Sequence, residues 1–168
     1  HFLDIVMYCC GDPQPLTVSG ETFCKLGKNM SEYTYRDMWA GPPKLDGVYN
    51  VEDSVTALIR TSGPVITVNG AWAQNIGEDE MYIDFMGDKA GRLHYGKEFT
   101  VYTAENGALV EYTPEFKMTP HFENEINAFV DCIKSGEKMP SHIDTAIITA
   151  KMMQAIYDSA ENHTEIRL

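Results

Sequence analysis

Five histidines, four cysteines and one adjacent carboxylate pair are the residues of this 168-residue chain best suited to chemistry. An imidazole titrates near neutrality and can take or give a proton. His121 and His142 fall in predicted first turns of helices, where the positive end of the helix dipole disfavours an imidazolium. They read as surface residues, and His94 and His163 read as structural. His1 differs because Phe2-Leu3-Asp4-Ile5 follows it. A histidine at a helix start either meets solvent and caps a neighbour, or does proton chemistry. Asp4, one turn later, could bond His1 or the helix N-terminus, and the structural role is favoured. Glu52 and Asp53 are adjacent, so in a strand they point to opposite faces and do not form a catalytic pair.

Other constellations are excluded by spacing. Cys9, Cys10, Cys24 and Cys132 match neither a zinc pattern nor a dense disulfide framework, and they read as reduced thiols of a cytoplasmic protein. Gly87-Asp88-Lys89-Ala90-Gly91 lies between predicted strands and opens no helix, so it is not a phosphate loop. Twenty-five acidic residues against 13 basic ones give a formal charge of −12, which excludes nucleic acid and anionic membranes as partners. No apolar run is long enough to span a bilayer. Tyr33, Tyr35 and Trp39 lie in a polar stretch, residues 26–50, without clear periodicity. Their rings either stack on a ligand or pack a surface loop.

These residues need elements to position them. HFLDIVMYCC, ended by Gly11 and Pro13, predicts a short buried helix. Leu16–Lys25 predicts a strand, as do Val55–Arg60, Val65–Trp72, Met81–Met86, Arg92–Tyr95, Phe99–Thr103 and Leu109–Tyr112. Asn106-Gly107 joins the last two as a hairpin. Thr119-Pro120 introduces a helix with an apolar stripe of Phe122, Ile126, Phe129, Val130 and Ile133, ended by Gly136. Ser141 to Asp144 introduces a second, reaching about Ala160, and Glu165–Leu168 adds an edge strand. The expected fold class is α+β: an open, mainly antiparallel sheet of about six strands with helices packed on one face. Residues 1–168 form one domain. An opening at His1, with no Met, reads as a piece of a longer polypeptide.

His1 to Ile5, followed by Gly11-Asp12-Pro13-Gln14-Pro15, resembles the start of the C-terminal domain of the Gfo/Idh/MocA oxidoreductases, the glucose–fructose oxidoreductase and inositol dehydrogenase group. Further similar segments follow in order: Tyr49 to Asp53, Gly70 to Asn75, Met86 to Gly91 (with Arg92 where a further glycine is common), Phe129 to Gly136, and Ala155 to Ala160. The resemblance covers essentially the whole chain. It implies oxidation of a hydroxyl on a sugar, polyol or cyclitol, with NAD or NADP bound mainly by an N-terminal Rossmann domain absent from this chain. It implies His1 as the catalytic base, with its aspartate and lysine partners outside the chain, and hence an inactive isolated fragment. Trp39 and Tyr35 are the candidate substrate-binding residues, and no residue here is assigned to cofactor or metal. The expected partners are the Rossmann domain, a small carbohydrate and a second copy of the chain across the open sheet face. The alternative is a non-catalytic sugar-binding or oligomerisation module of the same fold.

Overall fold

The computed structural model describes residues 1–29, 44, 46–77, 80–93 and 99–168. It contains α1 (Phe2–Cys9), β1 (Pro15–Phe23), a 3₁₀ turn (Gly27–Asn29), β2 (Ser54–Thr61), β3 (Val65–Ala71), β4 (Ile83–Met86), β5 (Ala90–Leu93), β6 (Val101–Glu105), β7 (Ala108–Tyr112), α2 (His121–Ser135), α3 (Ile143–Asn162) and β8 (Ile166–Arg167). The α+β expectation holds, and every described strand pair is antiparallel. The strands are grouped in two four-stranded sheets, ordered β3-β2-β1-β8 and β4-β5-β6-β7. The chain divides accordingly into two compact units, one of His1, Leu3–Ile76 and Ile143–Leu168, the other built on Gly77–His142. No helix among the described residues is long and apolar enough to cross a membrane.

In the first unit, alternation decides which face of the sheet is buried. Val18, Ala57, Ile59 and Ile66 point to one side, where Met7 of α1 and Met152, Ala155 and Ile156 of α3 complete the core. Val18, Ile59 and Met152 are fully buried. Gly20 allows α3 to lie close to β1: a Cβ there would sit 2.8 Å from Ile156 Cγ2 and 3.2 Å from Ala57 Cβ. The Ser159 hydroxyl accepts the Gly20 N–H at 3.0 Å and donates to the Thr164 carbonyl at 2.6 Å. The opposite face is mainly polar. Thr17 bonds Glu165 at 3.0 Å, Arg60 pairs with Glu165, and Thr56 bonds Asn69 at 2.8 Å, while Val65 stays more than half exposed.

In the second unit, hairpins build the sheet. Asn106 and Gly107 both take left-handed φ values, 51° and 80°, as a two-residue loop between twisted strands requires. Gly136 ends α2 at φ 76°, its N–H bonded to the Cys132 carbonyl at 2.8 Å. Pro120 is the N-cap residue of α2, and Thr119 accepts a bond from the Asn124 side chain at 3.2 Å. The predicted stripe lines one face of α2, yet Phe122, Ile126, Phe129 and Ile133 are each more than half exposed.

Candidate functional site

The candidate base sits at the start of α1. His1 is the exposed N-cap residue, its side chain makes no capping hydrogen bond, and its carbonyl accepts the Ile5 N–H at 2.9 Å. Leu3, Val6 and Met7 turn into the core. Asp4, in the first turn, accepts a hydrogen bond from the Thr149 hydroxyl of α3 at 3.1 Å. The partner shown for Asp4 is thus a residue of α3, and not the His1 or the helix N-terminus considered from the sequence. At the other end, Gly11 and Asp12 both take left-handed φ, 76° and 51°, and the Asp12 N–H returns to the Met7 carbonyl at 2.8 Å. The Cys10 thiol there is pushed up by burial and by neighbouring Cys9.

A second constellation forms around Glu52 and Asp53, where β2 begins. Asp53 is 3% exposed. Its Oδ2 accepts the backbone N–H groups of Lys25, Leu26 and Gly27 at 2.5, 2.6 and 3.1 Å, and its Oδ1 accepts the Ser54 hydroxyl at 3.2 Å. Burial alone would raise the Asp53 carboxyl. The bonds from Gly27, Lys25, Leu26 and Ser54 together outweigh it and hold the group below its ordinary value. A Cβ at Gly27 would fall 2.1 Å from the ring of Tyr49, so a larger residue there would force that ring aside.

Tyr49 in turn donates to the Glu52 carbonyl at 3.1 Å and accepts the Trp72 indole N–H at 2.5 Å, with the two ring centroids 5.8 Å apart. Tyr157 of α3 donates to the Glu52 carboxylate. That bond, then burial, then the Glu52 charge raise the Tyr157 phenol. Burial chiefly raises Tyr49, against the lowering effect of the Trp72 bond. The adjacent carboxylates thus have separate structural partners, in keeping with the sequence reading. A buried N–H cradle for Asp53 has no local signature, since its donors lie 26 to 28 residues away.

The remaining candidates scatter. His121 is exposed with its ring 4.4 Å from Phe122, and exposed His163 lies 3.6 Å from Glu21. Trp39, Tyr35, Tyr33 and His94 lie outside the described residues. Among the described residues, no group of three His, Cys, Asp or Glu could hold a metal ion. Gly87 to Gly91 make the β4–β5 hairpin, where the Gly87 N–H meets the Ala90 carbonyl at 3.1 Å. A dinucleotide cradle needs a glycine-rich turn between a strand and a helix N-terminus. The described residues do not fit one.

The profile of the family described as "Oxidoreductase family, C-terminal alpha/beta domain" matches residues 1–168. D-glucoside 3-dehydrogenase of Escherichia coli K12 is 28% identical over 171 residues, covering all of this chain and 46% of that protein. Among solved structures, aldose–aldose oxidoreductase from Caulobacter crescentus complexed with glycerol superposes with a TM-score of 0.69 at 16% identity, over 99% of this chain and 44% of that one. An oxidoreductase from Agrobacterium radiobacter in complex with NAD+, L-tartaric acid and magnesium gives 0.65 at 18% identity, over 99% and 46%. A myo-inositol dehydrogenase from Corynebacterium glutamicum gives 0.54 at 12%, over 100% and 47%. The chain spans about half the length of the relatives it matches. From its first residue to its last, this chain belongs to the Gfo/Idh/MocA oxidoreductase family, as the C-terminal α/β domain.

Proposed function

We propose that this domain is the substrate-side half of an NAD(P)-dependent dehydrogenase that oxidises a ring hydroxyl of a sugar, glucoside or cyclitol. Support comes from the D-glucoside 3-dehydrogenase relative and from the family match over the whole chain. The observation that carries the reading is His1: an exposed imidazole at the uncapped start of a helix whose other face is seated in the core. Its role is to accept the proton of the reacting hydroxyl, a task that positioned imidazoles perform. Trp39 and Tyr35 are the proposed sugar-stacking residues. The nicotinamide cofactor is held outside the described residues, by a Rossmann domain, so the chain alone is inactive.

The mainly polar outer face of the β3-β2-β1-β8 sheet is the proposed contact with a second copy, of the wet kind that hydroxyls and paired charges suit. Free cysteines support a cytoplasmic setting. The test is nicotinamide reduction by the complete polypeptide against glucosides, aldoses and inositols. Turnover of at least one of them, and none by residues 1–168 alone, is expected. A complete polypeptide that binds sugars but oxidises none would replace this reading with a non-catalytic sugar-binding module.

A further inference from the structure

We propose that Thr149 is a positioning residue for His1, an inference that rests on the reading of His1 as the base. α1 has eight residues, and His1 stands at its frayable end without a side-chain cap. Short helices lose their terminal turns readily, because the first N–H groups lack intrahelical partners. The apolar anchors Leu3, Val6 and Met7 fix which face of α1 meets the core, and Asp4 adds a polar contact within the first turn itself. Its carboxylate is held by the Thr149 hydroxyl at 3.1 Å, and the same turn closes on His1 through the bond from the Ile5 N–H to the His1 carbonyl.

Thr149 is 8% exposed, on the stretch of α3 that sends Ile148 and Met152 into the core. A valine of the same shape would pack there with no polar group to satisfy. A threonine hydroxyl buried at that place is stable only with a partner, and Asp4 is that partner. The bond therefore ties the first turn of α1, and the backbone of His1 with it, to the longest helix of the domain. Proton transfer is sensitive to small misplacement of the base, so slackening this turn lowers turnover more than it lowers stability.

The experiment is a double-mutant cycle in the complete polypeptide, with Thr149→Val, His1→Ala and both together, and Thr149→Ser and Thr149→Ala alongside. Thr149→Val is expected to lower kcat about tenfold with the cofactor KM unchanged, given the steep dependence of proton transfer on geometry. Thr149→Ser restores kcat, and Thr149→Ala repeats the loss should the valine variant fold poorly. In the His1→Ala background Thr149→Val costs nothing further. A kcat within twofold of wild type in both Thr149→Val and Thr149→Ala, or an equal loss with and without His1, overturns the inference while leaving His1 as the base. Full turnover in His1→Ala overturns the reading beneath it.

Discussion

The carboxylate of Asp53 accepts the backbone N–H of Gly27 at 3.1 Å, and the ring of Tyr49 lies over that glycine. Residues on either side of a long connection are thereby fastened to one buried anion. Asp53→Ala leaves the Lys25, Leu26 and Gly27 N–H groups without their acceptor and is expected to cost on the order of 3 kcal/mol in chemical denaturation. The pH dependence has a definite sign. The folded-state carboxyl lies below its ordinary value, so its stabilisation is complete above the unfolded value of about 4 and fades as pH falls through the lower, folded value. Asp53→Asn should flatten that acid-side loss. An unchanged acid limb in the asparagine variant would show that other carboxylates set it.

Gly20→Ala tests how closely α3 lies on the sheet. The added methyl meets Ile156 Cγ2 at 2.8 Å, with Ala57 at 3.2 Å on the other side. Overpacking of this kind costs about 1–3 kcal/mol. A thermal midpoint equal to wild type would mean that the helix stands further from β1.

Ser159→Ala removes the hydroxyl that joins the Gly20 N–H to the Thr164 carbonyl, at a residue 2% exposed. The part-buried Gly20 N–H and the carbonyl of exposed Thr164 then lose a partner, and a loss of about 1 kcal/mol is expected. Hydrogen exchange at Gly20 should rise with it, and protection equal to wild type would contradict the assignment.

Arg60→Ala should do little. The Arg60–Glu165 pair is about half exposed on both sides, and such pairs contribute about 0–1 kcal/mol. A loss above about 2 kcal/mol would mean that this sheet face is covered in solution, and its dependence on protein concentration would identify a second copy as the cover.

Local chemistry was legible before the fold. Gly11 and Pro13 mark the end of α1, Asn106-Gly107 marks its hairpin, and Gly136 ends α2, because each depends on a φ value or a missing donor at one position. In β3, Ile66 lies in the core and Val68 packs against it, alternating with Val65, Thr67 and Asn69 along the strand. Pairings across the chain were not legible. Thr149 meets Asp4 across 145 residues and Ser159 meets Gly20 across 139, and nothing in either neighbourhood announces the other. The division of the strands into two sheets was hidden for the same reason, since alternation reveals a strand but not its distant neighbour. The apolar stripe of α2 was legible as a stripe, while its exposure depends on packing that periodicity does not encode.

The most direct measurement is steady-state oxidation by the complete polypeptide with His1→Ala, with and without added imidazole. If His1 takes the hydroxyl proton, kcat/KM for the sugar falls about 10²–10⁴-fold, cofactor affinity is unchanged, and imidazole restores part of the rate. A variant that turns over within twofold of wild type would contradict the account.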